Sequence, residues 1–341
     1  MALTDKLRDI GDAIRDSTGE VDLMTLADMP GKISSLYRNG RASVVNPFAK
    51  DNVNGGYNPF KYWAKNAITI ETQIRDGAIN EPYLFMWLLK PEDTKNETDF
   101  GHFYADCTDL TFFPDLVTSN GEVFDYMFWA CKGLTTAPFY DTSKGKDFRH
   151  MFGGCENVQY IPKYDTSNGE LLTGMFYGCT YTKEIPNLDT SKGVEFQQFL
   201  DGCWCLKSDI VFDTSNGTNF YAFARNCQQV KTIDIDVSKA TTLKDAFKNC
   251  NNFINVNLGT IPVSVSFANS KKINIDSLMN IIRGLKVYYK SDPEYMKHTI
   301  TLSAESWNNL YDYVSYFMDP LGTGEKLSLD DYIARKGWLR A

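Results

Sequence analysis

Eight cysteines, three histidines and 43 acidic side chains are the groups in this 341-residue chain whose chemistry could be put to use. The cysteines are Cys107, Cys131, Cys155, Cys179, Cys203, Cys205, Cys227 and Cys250. With Cys205 set aside, they stand 24, 24, 24, 24, 24 and 23 residues apart. Zinc sites use close Cys or His pairs such as CxxC, and no such pair occurs. Three readings of the column remain. The first is a ladder of small buried hydrophobes, each with a weak S–H donor. The second is stacked disulfides, which neighbouring thiols pointing the same way disfavour. The third is a catalytic or metal role. The first is preferred, and Cys205, out of register, is expected to be exposed. His102, His150 and His298 have no metal spacing, and each is expected to be a surface residue or one with its hydrogen bonds satisfied. The acids Asp330 and Asp331 suit a helix N-terminus. No P-loop, GxSxG or HExxH is present. A glycoside hydrolase needs two carboxylates across a cleft, and nothing singles out such a pair. The chain is therefore expected not to be an enzyme and to use no cofactor.

The cysteine ruler is shared by other columns, which makes it an internal repeat. Asp-Thr-Ser begins at Asp141, Asp165, Asp189 and Asp213, with Asp236-Val237-Ser238 following. Gly121, Gly145, Gly169, Gly193 and Gly217 keep step, as do Pro114, Pro138, Pro162 and Pro186. Three apolar columns run in parallel: Leu110, Leu134, Val158, Thr182, Leu206, Val230 and Phe253; Phe124, Phe148, Leu172, Phe196, Phe220 and Leu243; Phe128, Phe152, Phe176, Leu200, Ala224 and Phe247. About seven units fill residues 103–262. One such unit cannot close a core, but a stack of them can, so the expected fold is an α/β repeat solenoid, each coil advancing by about 4.8 Å.

Within a unit, LxxIPxYDTS reads as the strand side, kept short because Pro lacks an N–H. Asp-Thr-Ser-Asn/Lys-Gly reads as a turn, with Asp capping the backbone and Gly supplying positive φ. Turn capping explains the Asp column better than calcium, whose repeat proteins use a denser Gly/Asp nonapeptide. The stretch ending in xxMFxxC reads as a short helical or 3₁₀ corner. Asp115, Phe139, Lys163, Asn187 and Val211 share one position and vary, so they face solvent, either as a bare solvated face or as a recognition surface. Trp129 and Tyr177 on the opposite corner are equally eligible contacts.

The flanks divide the rest. In residues 1–38, Leu3, Leu7, Ile10 and Ile14 form one helical stripe and Leu23, Leu26, Met29 and Ile33 a second, a helical leader expected to serve assembly. Residues 39–102 read as a small β-rich cap. Residues 263–341 read as a mixed α/β C-terminal cap, with helices at 276–285, 304–318 and 329–336 and a strand at 298–303. A net charge of −8 and the absence of any Lys/Arg run argue against nucleic acid. No stretch of about 18 apolar residues suggests a membrane span. The N-terminus lacks the apolar core of a secretory signal, so synthesis as a soluble cytosolic chain is expected.

The pattern resembles the bacterial surface-antigen, BspA-like type of leucine-rich repeat, LDTSxVTxMxxMFxxCxxLxxLP. The matching residues are Asp165-Thr166-Ser167, Met175-Phe176, Cys179 and Ile185-Pro186. The seventh unit loses Pro and Asp-Thr-Ser, and Asp209 enters a normally apolar column, so units five to seven are expected to depart from regular geometry. The leader LRDIGDAIRDSTG…LADMPGKI looks like that of many bacteriophage tail and baseplate proteins, and HTITLS…LSLDDYIARKGW like the end cap of phage-encoded repeats of this type. The resemblance implies a leucine-rich-repeat-like structural virion protein, fibre-like, of a phage tail or baseplate. It would bind other tail proteins and copies of itself, with a trimer favoured. It would present Phe139, Lys163, Asn187 and Val211 to a host cell-wall glycopolymer. The rivals are a bacterial surface adhesin, which is expected to carry a signal and an anchor, and a cell-wall hydrolase.

Overall fold

The computed structural model describes residues 94–108, 113 and 115–341. The leader residues Leu3, Leu7, Ile10 and Ile14, residues 39–93 of the expected cap at 39–102, and Leu110 and Pro114 lie outside the described residues.

The 24-residue ruler is a register of contact. Val123, Asp147, Leu171, Glu195, Asn219 and Thr242 are joined in sequence by parallel bridges, each unit beside the next. Identical positions therefore stack. Phe100, Phe124 and Phe148 lie ring on ring at 5.5 and 5.7 Å, and Phe128, Phe152 and Phe176 at 5.2 and 6.0 Å. All three apolar columns are buried wherever they are described, and a fourth (Met127, Met151, Met175, Phe199, Phe223) joins them in one core.

The xxMFxxC corner is neither α-helical nor 3₁₀. In residues 148–155 the N–H groups alternate in direction. Those of Phe148, His150, Phe152 and Gly154 donate to Leu171, Thr173, Met175 and Tyr177 of the next unit at 2.9, 2.8, 2.9 and 2.6 Å. Those of Met151, Gly153 and Cys155 donate back three residues. The corner is thus a chain of β-turns, and left-handed residues recur at two positions per unit, where type II turns require them. One position holds Tyr126, His150, Gly174, Gln198 and Ala222; the other holds Ala130, Gly154, Gly178, Gly202 and Asn226. Ala130 (φ 57°) carries a Cβ where its three successors are glycine. Ala130→Gly is expected to stabilise the protein by about 1 kcal/mol, read as a higher urea midpoint.

Contrary to the expectation from turn chemistry, none of Gly121, Gly145, Gly169, Gly193 and Gly217 has positive φ. Their reason is space: a Cβ on Gly145 would sit 2.4 Å from Phe148 Cζ and 3.0 Å from the Thr142 carbonyl. The capping role of Asp does appear, with the Ser143, Ser167, Ser191 and Ser215 N–H groups donating to the Asp two residues before at 3.0 Å. The intervening Thr is buried and donates to the next unit's Asp carbonyl, as Thr166 does to Asp189 at 2.7 Å. At the following position Asn and Lys alternate. Lys144, Lys192 and Lys239 each donate to the Asn one unit earlier at 2.8, 2.6 and 2.7 Å, so like charges are never adjacent in this column.

The strand side is continuous only where proline is missing. Units five to seven form a parallel sheet of β1 (Ile210–Val211), β2 (Thr232–Asp234) and β3 (Asn255–Asn257). Where Pro138 and Pro162 stand, one isolated bridge, Thr136↔Tyr160, remains. The expected irregularity of units five to seven is thus reversed on this side: losing proline restores the donor a ladder needs.

The cap adds a parallel sheet of β4 (Val265–Phe267), β5 (His298–Leu302) and β8 (Trp338–Arg340). Phe267 stacks on Phe247 at 5.1 Å, carrying the aromatic column into the cap. Helix α1 (Ile275–Gly284) is capped by Asn274, α2 (Ala304–Tyr313) by Ser303 and α3 (Leu329–Arg335) by Ser328. The helix expected over 304–318 ends at Tyr313, because Phe317–Met318 (β6) pairs antiparallel with Lys326–Leu327 (β7). Lys336 is buried and donates to the Arg283 and Leu285 carbonyls at 2.6 Å each, closing the C-terminal end of α1. Burial lowers its pKa to about 8.

Candidate binding faces

The cysteine column is structural. Six Sγ atoms donate to a main-chain carbonyl of the preceding unit: Cys131 to Tyr104, Cys155 to Phe128, Cys179 to Phe152, Cys203 to Phe176, Cys227 to Leu200 and Cys250 to Ala224, at 3.0–3.3 Å. Each of those carbonyls also accepts the N–H of its own unit's cysteine, so both lone pairs are used. All eight thiols are free and only Cys205 is partly exposed. Burial raises the pKa of Cys131, Cys155, Cys179, Cys203, Cys227 and Cys250. Iodoacetamide near pH 8 is expected to modify Cys205 alone in the native protein, since the thiolate is the nucleophile. In denaturant without reductant, all eight should react. Among the described residues no group of His, Cys, Asp or Glu is arranged to hold a metal ion. None of their helices is long and apolar enough to cross a membrane.

Two outward faces are left. On the first, Asp115, Phe139, Lys163, Asn187 and Val211 are all exposed, Phe139 at 76% and Val211 at 52%. They are aimed outward because their chain neighbours Tyr140, Tyr164 and Leu188 fill the core. This face presents one isolated side chain per unit, and no hydrogen bond links its members.

The second face is the turn corner, where the structure gathers what the spacing alone left apart. His102, Tyr126 and His150 share a column; His102 stacks on Tyr126 at 4.6 Å, and His150 lies against Tyr126 at 4.8 Å, tilted by 30°. Trp129 reaches across Gly153, where a Cβ would meet its ring at 2.4 Å, and lies within 8° of parallel to Tyr177 at 6.2 Å. Both rings stand edge-on to His150, at 90° and 82°. His150 departs from the expectation for the histidines: its Nδ1 is buried without a hydrogen-bond partner, the only such side-chain N or O among the described residues. Burial, then the Arg149 charge, lowers its pKa. Arg149 borders the cluster, bonded to Asp147 at 2.5–3.0 Å and 3.7 Å from Asp125. Further along the Trp129 column, Asp201 and Arg225 form a bidentate pair at 3.0 and 2.6 Å. A cleft of about 410 Å³ between the sixth unit and the cap is lined by Thr242, Lys244, Ser264, His298 and Thr299. There the Ser264 and Thr242 hydroxyls accept the Thr299 and Lys244 N–H groups, so those lining hydroxyls serve the fold.

Residues 146–260 match the family described as Mycoplasma protein of unknown function, DUF285. The match lies wholly within the repeat, includes Trp204 and most of the first face, and stops short of both flanks. It is consistent with the BspA-like character of the repeat. No curated protein and no solved structure matches the chain.

Proposed function

We propose that this chain is a structural virion protein of a bacteriophage tail or baseplate, in which a leucine-rich-repeat-like solenoid holds a recognition surface toward the host cell wall. The observation that carries the rigid-scaffold part is the saturation of the unit-to-unit contacts: main-chain N–H, Thr hydroxyl and Cys thiol all donate across the same boundaries. Such a stack presents outward side chains at fixed intervals, which suits extended ligands. The virion part rests on the resemblance of the two flanks to phage tail proteins. On this reading the chain is made in the host cytoplasm and then joins the particle, residues 1–38 anchor it to tail proteins or to its own copies, and a trimer is the favoured form. A bacterial surface protein of the same repeat type is the second reading, with which the family match at 146–260 is compatible.

Immunogold electron microscopy with an antibody to this chain separates the two. Label on phage tails supports the virion reading, and label on the envelope of uninfected cells overturns it. Deleting residues 1–38 is expected to leave a soluble, cooperatively folding repeat that does not enter particles; normal incorporation would place the attachment elsewhere in the chain.

A further inference from the structure

Resting on the recognition role proposed above, we infer that the corner formed by Tyr126, Trp129, His150 and Tyr177 is a binding site for the pyranose rings of a neutral polysaccharide. Each of these residues is half-buried, so its ring is held by the fold while part of it remains open to solvent. Pyranoses pack their C–H faces on such rings, and pre-set aromatics lose little freedom on binding. The fold itself does not ask for aromatics here. The positions equivalent to His150 in later units hold Gly174 and Ala222, and those equivalent to Trp129 hold Gly153 and Asp201.

The electrostatics favour a neutral ligand. Burial, then the Arg149 charge, disfavours the charged form of His150, and Arg149 is already shared between Asp147 and Asp125. These four polar side chains offer sugar hydroxyls both donors and acceptors, while an anionic polymer would find no unpaired cation. Trp129 and Tyr177 lie two units apart in one column.

The test is isothermal titration of the full-length protein with chito-, cello- and malto-oligosaccharides, with polyglutamate as the charged control. At least one neutral series is expected to bind. Trp129→Ala should weaken that binding roughly tenfold or more, Trp129→Phe should retain most of it, and Trp204→Ala should leave it unchanged. In the parent protein the bound sugar should move the His150 ring-proton NMR signals and leave those of His298 in place, a readout that does not depend on any variant folding. The proposal is overturned if no neutral series binds, if Trp129→Ala binds as well as the parent, if polyglutamate binds equally, or if the His150 signals do not move. Such a failure with immunogold label still on tails would remove this site and leave the virion assignment standing.

Discussion

Replacing Phe152 by alanine is expected to destabilise the repeat by about 3–5 kcal/mol. The ring is fully buried, parallel within 7° to Phe128 at 5.2 Å and within 2° to Phe176 at 6.0 Å, with Tyr164 against it at 5.7 Å. Alanine would leave a cavity with an aromatic face on each side. Neither neighbour can close it, because the units of both are held to that of Phe152 by main-chain bonds: Phe128 N–H donates to Met151, and Phe152 N–H to Met175, at 2.8 and 2.9 Å. Units in such a stack are stabilised by their neighbours, so the loss spreads along the repeat rather than staying local. Phe152→Leu should cost distinctly less, since Leu200 fills the equivalent place two units on. Urea denaturation followed by circular dichroism measures both, and an alanine variant as stable as the parent would refute the assigned stack.

Arg225→Met should destabilise by about 3 kcal/mol, for a different reason. The Asp201 side chain is 3% exposed, and Arg225 is its bidentate partner. Removing the guanidinium strands a buried carboxylate whose remaining neighbour is the Asn226 amide at 3.4 Å. Because Arg225 itself is 26% exposed, the expected cost sits at the lower end of what breaking a buried pair produces. Combining it with Asp201→Leu should recover stability to within roughly 1 kcal/mol of the parent, since a pair replaced whole by apolar groups leaves no buried charge. A double variant no better than Arg225→Met alone would show that the ion pair is not what the single change disrupts.

Periodicity decided a great deal by itself. When identical positions recur every 24 residues, whatever occupies one place must tolerate a copy of itself about 4.8 Å away. That rule made the buried Phe and Leu columns, the capping Asp and the free cysteines legible without coordinates. It also contains the Asn/Lys alternation, which avoids stacking like charges. Contacts within a column are legible because they depend only on the offset. Contacts between columns are not, because they depend on how the chain turns inside each unit. Only the tertiary structure showed that the turns run through left-handed residues, and hence that the column glycines are small to admit a Phe ring rather than to reach positive φ. Only it joined six of the Cys Sγ atoms to carbonyls of the preceding unit. In the cap, where the ruler stops, apolar spacing could not see the β6–β7 hairpin that ends α2, because that pairing joins residues distant from the helix pattern. The aromatic corner belongs to the same class: Trp129, His150 and Tyr177 come from three successive units and meet only because Gly153 lets one ring cross the chain between them.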